Sequence, residues 1–167
     1  MRKKVAALAS AAAATMLIGG AGLASASAHP AGPAVSGTEH LYLMTTSATS
    51  NKAAVIVDGL FTAGGTDLMG NTVDKIVLPG GTFKVHHPGN SGKPKVNPLT
   101  CLFTLKQAGL RFTVSGGTGR YKGITGSGRA ALSIIAVLGR NSHGKCSYTA
   151  KPQGWQQTIT ATGHVSL

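Results

Sequence analysis

Residues 155–167 alternate apolar and polar side chains with a period of two, and this rhythm limits the fold more than any other feature. One face carries Trp155, Ile159, Ala161, Val165 and Leu167, interrupted by Gln157, and the other carries Thr158, Thr160, Thr162 and His164. A period of two is typical of a β-strand with one covered face. Beyond the first 28 residues no window shows the spacing of an amphipathic helix, so the sequence predicts an all-β fold.

Earlier segments repeat the same rhythm. The predicted strands are Glu39–Thr46, Ala53–Thr62, one or two strands within Asp67–Leu78, then Thr82–His87, Cys101–Lys106, Leu110–Ser115 and Ile124–Leu138. Turns are predicted at Ala63–Thr66 and Pro79–Gly81, and the proline-rich stretch 88–98 is predicted to be a surface loop. Leu110–Ser115 is expected to be the hairpin partner of the strand that begins at Cys101.

Glycine is frequent, with 21 of the residues from 29 to 167. In an all-β chain, internal glycines mark bulges and bends where strands must curl. About eight short strands with this glycine content favour a single closed antiparallel β-barrel over a flat sheet. Closure also removes the exposed strand edges that would promote aggregation.

The richest glycine pattern lies in Gly109–Arg129. A short apolar alternation runs into Gly116, Gly117 and Gly119, and Gly123 follows after Tyr121. This pattern resembles the GGTG-(aromatic)-x-G-x-x-G turn and strand of allene oxide cyclase-like and dirigent-like β-barrels, including small secreted actinobacterial members.

The resemblance covers roughly Thr100–Ala130. It implies an eight-stranded antiparallel barrel that often associates as a dimer or trimer, hence a homo-oligomer here. Some members hold an apolar intermediate in an interior pocket and steer its cyclisation or coupling. The glycine motif shapes a hairpin and performs no chemistry, so no catalytic residue is carried over to this chain.

The N terminus has the three parts of a secretory signal peptide. Arg2–Lys4 is basic, Val5–Ile18 is apolar, and Ala26–Ala28 offers the small residues that a signal peptidase reads, so cleavage is expected after Ala28. Ala24–Ala26 is a second cleavage site. The alternative is an uncleaved anchor, since Val5–Leu23 approaches the ~20 residues that span a bilayer. The sequence predicts a secreted, extracellular protein.

The chain is accordingly divided into a signal peptide at 1–28, a flexible lead-in at 29–36 and a barrel domain at 37–167. After cleavage, thirteen basic residues remain against four acidic ones, a formal charge of +9. Such a surface attracts anionic polymers of the cell envelope, although simple solubility explains it as well. The basic residues form no run and no stacking aromatics accompany them, so a nucleic-acid partner is not expected.

Two cysteines remain after export, Cys101 and Cys146. An even count in an exported chain favours a disulfide. Closing this loop of about 45 residues would contribute roughly 4 kcal/mol in the chain-entropy model. Two free thiols or a metal site are the alternatives, and the absence of a Cys-x-x-Cys motif disfavours the metal.

Two glycine motifs superficially resemble phosphate-binding loops. Gly117–Gly123 is one residue longer than the dinucleotide fingerprint, and in Gly139–Cys146 a cysteine replaces the Ser or Thr of a P-loop. Neither precedes a helical pattern that would supply amide donors, so no nucleotide cofactor is expected. Adjacent His86 and His87 would point to opposite faces of a strand, which disfavours a shared metal.

Hydrolase chemistry finds little support. The chain has no Gly-x-Ser-x-Gly elbow. A glycosidase needs two carboxylates across a sugar, and nothing in the spacing of Glu39, Asp58, Asp67 and Asp74 favours such a pair. These four carboxylates are expected to be surface charges.

Two functions follow. The first is a non-catalytic secreted barrel that binds an apolar small molecule or anionic cell-envelope material. The alternative is a dirigent-like or cyclase-like isomerase that acts on a secreted metabolite. For this enzyme the candidate polar groups of the pocket are Arg111, Tyr121, Tyr148 and Trp155. Their convergence on a cavity of several hundred Å³ would favour catalysis.

Overall fold

The computed structural model describes residues 34–89 and 91–167. The predicted signal peptide, its cleavage sites and most of the lead-in lie outside the described residues. The strands are β1 Ser36–Thr45, β2 Lys52–Gly59, β3 Ala63–Leu68, β4 Val73–Leu78, β5 Gly81–His86, β6 Lys95–Val96, β7 Leu102–Ser115, β8 Thr125–Val137 and β9 Gly154–Ser166. A single 3-10 turn at Gly119–Tyr121 is the helical element of the described part.

Eight of the strands form a closed antiparallel barrel, which confirms the predicted fold. Strands β1 to β5 pair in sequence order, β9 pairs with β1, β8 with β9 and β7 with β8. The ring closes where the end of β5 meets the end of β7, in a register that joins Lys84 to Ser115 and His86 to Thr113. The two-residue strand β6 adds to the beginning of β7, outside the ring.

The predicted turn at Ala63–Thr66 is wrong, because these residues form most of β3. The chain reverses earlier, between Gly59 and Ala63. Gly65 is needed for close approach between strands rather than for a turn. A Cβ atom on Gly65 would lie 2.1 Å from the carbonyl oxygen of Val77 on β4.

The predicted hairpin between Cys101–Lys106 and Leu110–Ser115 is also wrong. Both segments belong to the continuous strand β7, and both pair with β8. The register shifts between Gln107 and Leu110, and Gly109 there has a φ of +72°. A glycine in the left-handed region is typical of a β-bulge, so this glycine bends the strand without reversing it.

Aromatic rings close one end of the barrel. The ring centroids of Phe61 and Phe83 lie 5.0 and 5.8 Å from that of Tyr121. The Tyr121 hydroxyl donates a hydrogen bond to the carbonyl oxygen of Pro79 at 3.4 Å. We call these three side chains the aromatic end. They fill the barrel there, which leaves room for a cavity only toward the opposite end.

The predicted disulfide joins Cys101, just before β7, to Cys146 in the segment between β8 and β9, with an S–S distance of 2.09 Å. It ties the 139–153 segment to the barrel wall. No helix among the described residues has the length and hydrophobicity to cross a membrane.

Candidate ligand cavity

The barrel contains a cavity of about 320 Å³ that opens at the end opposite the aromatic end. In β5, Phe83 belongs to the aromatic end, whereas Val85 lines the cavity. His87, which directly follows the strand, lines the cavity as well. Most of the wall is aliphatic and comes from β1, β4, β8 and β9: Leu41, Leu43, Ile76, Ala130, Leu132, Ile134, Ile159 and Ala161. The volume lies within the range usual for small-molecule sites.

Three polar groups of the cavity lie at its opening, which we call the mouth and define by Asp74, His87 and Gln157. Asp74 Oδ1 accepts a hydrogen bond from the backbone N–H of Gly70 at 2.7 Å. Its Oδ2 lies 3.2 Å from His87 Nε2, within ion-pair distance. Gln157 Nε2 lies 3.5 Å from the sulfur of Met69. The mouth is thus built by three separate strand ends.

The hydrogen bond between His87 and Pro88 places one proton on the imidazole ring. Its Nδ1 lies 2.9 Å from the carbonyl oxygen of Pro88, and a carbonyl only accepts, so Nδ1 carries a proton and donates it. Nε2 faces the Asp74 carboxylate. Although the two atoms are within ion-pair distance, Nε2 has no hydrogen-bond partner among the described residues.

Asp67 is the most deeply buried carboxylate of the described chain. It is 0% exposed, and neither of its oxygens has a hydrogen-bond partner among the described residues. Burial, and secondarily the negative charge of Asp74, raises the pKa of Asp67 to about 7, while His87 acts in the opposite direction. A side chain with this pKa can change its protonation state near neutral pH.

The expectation that the four carboxylates are surface charges is wrong for three of them. Glu39, Asp67 and Asp74 are buried, and Asp58 alone is exposed. The sequence did contain the relevant signal in its strand phase. Asp67 lies two residues before inward Met69, and Asp74 lies two and four residues before inward Ile76 and Leu78. Because side chains two residues apart in a strand share a face, this spacing places both acids inside.

Glu39 lies toward the aromatic end rather than at the mouth. Its Oε2 accepts a hydrogen bond from the backbone N–H of Phe61 at 3.3 Å, and its Oε1 has no partner in the described part of the chain. Burial raises the pKa of this carboxyl group. Glu39 therefore anchors the loop between β2 and β3 and does not contribute to the cavity.

The four polar groups proposed from the sequence are not brought together. Arg111 lines the cavity at the bulge of β7. Tyr121 is buried in the aromatic end, and Tyr148 is 68% exposed in the segment before β9. Trp155 packs against Phe103, with ring centroids 6.4 Å apart, beyond the cavity wall. They are separated because Tyr121 belongs to the glycine turn and Tyr148 to the disulfide-linked segment.

The two adjacent histidines have different partners. His86 Nε2 lies 3.0 Å from the hydroxyl of Ser115, whereas His87 Nε2 faces Asp74. Among the described residues no group of three or more His, Cys, Asp or Glu side chains is arranged to hold a metal ion. His87 was missed as a cavity residue because its acidic partner is thirteen residues away on another strand.

Comparison with known proteins gives no match: no family model, no curated protein and no solved structure matches this chain. The chemistry of the cavity is therefore inferred from its geometry. An aliphatic wall buries apolar surface, and the acids at or beside the mouth can accept hydrogen bonds or exchange a proton.

Proposed function

We propose that this protein is a secreted β-barrel that binds an apolar small molecule in the cavity. The observation that carries the proposal is an aliphatic cavity of about 320 Å³, plugged at the aromatic end and open at the mouth. Apolar surface buried there would contribute about 25 cal/mol per Å² to binding. The Cys101–Cys146 disulfide is consistent with an oxidising, extracellular location.

A binding function is favoured over a catalytic one by the distribution of polar groups. Three of the four candidates for pocket chemistry lie in the aromatic end, in an exposed segment or against Phe103. The wall that a ligand would contact is aliphatic along most of its length. Such a wall holds a molecule by shape and hydrophobicity.

Calorimetric titration with 1-adamantanol, a compact uncharged probe, tests this proposal. Ala130 and Ala131 are neighbours on β8, but Ala130 lines the cavity and Ala131 is exposed on the outer face. Ala130→Leu adds bulk inside the cavity and should weaken binding at least about tenfold, a loss of about 1.4 kcal/mol. Ala131→Leu adds the same bulk outside and should bind like the wild type.

Two results would count against a binding function. One is the lack of any measurable heat with the wild type. The other is equal affinity of the Ala130→Leu and Ala131→Leu variants, which would place the probe elsewhere.

The outer surface supports an anionic polymer of the cell envelope as a partner. All thirteen Lys and Arg side chains of the described residues are exposed, whereas Asp58 is the one exposed Asp or Glu side chain. Burial of three acids makes the surface more cationic than the overall composition indicates. A surface of one sign attracts polyanions over a distance set by salt.

A cyclase-like activity in the same cavity is the second candidate function. Asp67, with its pKa of about 7, favours it, since a group that titrates near neutral pH can carry a proton. The test is mass spectrometry of a ligand that co-purifies with the protein. Conversion to an isomer by wild type but not by Asp67→Asn would support catalysis. Recovery of unchanged ligand from both the wild type and Asp67→Asn would contradict a cyclase-like activity.

A further inference from the structure

We propose that the cavity selects apolar molecules that carry a protonated amine, with Asp74 receiving the ammonium group at the mouth and the nearby buried Asp67 adding a second negative charge. This inference rests on the proposed binding function and adds the chemical class of the ligand. Its basis is a buried carboxylate that the protein itself leaves without compensation, next to an aliphatic cavity.

The charges at the mouth do not balance. The Asp74 carboxylate has the His87 imidazole at 3.2 Å and the Gly70 N–H as a donor at 2.7 Å. Asp67 has neither, because both of its oxygens lack hydrogen-bond partners among the described residues. A buried carboxylate without donors is costly to keep ionised. A ligand that brings a positive charge to the mouth would lower that cost.

Asp67 is placed to act on a ligand in the cavity through its charge, because its fully buried side chain is not itself part of the cavity wall. Its side chain follows the inward phase of β3, one inward position before Met69, which lines the cavity. In the ladder Asp67 lies opposite Ile76 of β4, another residue of the wall. An ammonium group has three donors, enough to reach the Asp74 carboxylate and the amide oxygen of Gln157 at the mouth, and Asp67 attracts its charge as well.

The remaining groups around Asp67 do not supply a cation. On β2 the inward neighbours Ala53, Val55 and Val57 are apolar. Asp74 comes from β4 and His87 from the end of β5, and these are the two charged groups that act on Asp67. On β7, Arg111 lines the cavity but is exposed to solvent, and it is not among the charged groups that act on Asp67.

The same arrangement disfavours an anionic ligand. A carboxylate at the mouth would meet Asp67 and Asp74, and like charges in a buried site repel strongly. The imidazole of His87 already lies against Asp74, and Arg111 is exposed to solvent. Ligands with the same hydrocarbon body should therefore be ranked amine first, alcohol second and carboxylate last.

Three adamantane derivatives distinguish the contribution of the head group to binding from that of the hydrocarbon body: 1-adamantanamine, 1-adamantanol and 1-adamantanecarboxylate. All have the same hydrocarbon cage, so differences in affinity report the head group. By calorimetry at pH 8 the amine should bind at least about tenfold more tightly than the alcohol, since a charge-assisted hydrogen bond is worth that much. The carboxylate should bind more weakly than the alcohol.

Two variants assign the preference to the proposed acids. Asp67→Asn and Asp74→Asn keep the side-chain shape and remove the charge, so each should reduce the amine-to-alcohol affinity ratio at least about fivefold. Asp58→Asn is the matched control, because Asp58 is the exposed carboxylate of the described chain. It removes the same charge outside the cavity and should leave the ratio unchanged.

Lowering the pH from 8 to 6 should weaken binding of the amine and leave binding of the alcohol unchanged. Asp67, whose pKa is about 7, gains a proton over this range and loses its attraction for a cation. Titrations in two buffers of different ionisation enthalpy should show proton release when the amine binds near pH 7.

The outcomes separate this inference from the proposed function. Equal affinity for amine and alcohol, or an unchanged ratio in both Asp variants, would overturn amine selection while leaving a cavity that binds apolar molecules. Preference for the carboxylate would overturn it as well. Failure of all three probes to bind would remove both proposals.

Discussion

At the scale of the residue, the main feature is an acid buried without a partner. Asp67 is fully buried, and its ionisation is opposed first by desolvation and then by Asp74. A side chain of this kind lowers stability, so its presence at a cavity points to a use beyond folding. Its inward direction could be predicted from the period of β3. Its neighbours could not, because β4 and β5 are brought to it only by closure of the barrel.

Asp67→Asn should increase stability at high pH. The pKa of Asp67 is about 7 in the folded protein against 3.8 in the unfolded one, so between these values the folded state binds more protons. The free energy of unfolding of the wild type therefore falls as the pH rises from about 4 to about 7. Above pH 7 the variant should be more stable, by at most about 4 kcal/mol. Urea denaturation at pH 4.5 and pH 8 measures the difference.

Asp58→Asn is the control for this prediction, because Asp58 is exposed and no desolvation penalty is relieved there. Its stability should differ little from that of the wild type at either pH. A stability difference between Asp67→Asn and the wild type that is the same at both pH values would contradict the buried-acid account.

At the scale of the element, the period of the side chains predicted the strands, and glycine caused the errors. Two adjacent glycines, Gly64 and Gly65, were interpreted as a turn, although both lie in β3. A glycine required for close packing and a glycine required for a turn look the same in sequence. Gly109 led to a second error, because the bulge at this glycine was interpreted as a chain reversal that divides β7 into two strands. Only contacts between distant strands distinguish these cases.

Gly65→Ala should destabilise the barrel, whereas Gly64→Ala should be tolerated. A Cβ on Gly65 would lie 2.1 Å from the Val77 carbonyl oxygen and 2.7 Å from a methyl group of Leu78. A Cβ on Gly64 would have its nearest contact at 4.0 Å. Overpacking of this kind costs about 1–3 kcal/mol or more. Urea denaturation of the two variants measures it, and equal stability would show that β3 and β4 are not so closely packed.

At the scale of the molecule, the barrel separates its charges by sign. The acids are mostly buried, and the bases of the described part are all exposed to solvent, including Arg111 at the cavity. The composition predicted a basic protein but not this separation, because burial of an acid depends on strand phase and closure together. The closed fold thus offers an interior suited to an apolar cation and an exterior suited to a polyanion.

Retention on anionic cell-wall material should depend steeply on salt. Exposed charges are screened over about 10 Å at 0.1 M salt and about 3 Å at 1 M, so attraction by the thirteen cations should be lost across that range. Co-sedimentation of the purified protein with teichoic acid-bearing cell walls at several salt concentrations measures it. Retention that persists at 1 M salt would contradict an electrostatic origin, and absence of retention at low salt would remove the envelope partner.

The central claim is that the interior of this barrel receives a ligand, and crystallography with 1-bromoadamantane tests it most directly. Bromine scatters anomalously, so one map locates the probe without reference to the protein. We expect an anomalous peak inside the cavity, in contact with Leu43, Ile76 and Leu132. A cavity filled by the protein's own side chains, with bromine found only on the outer surface, would contradict the claim.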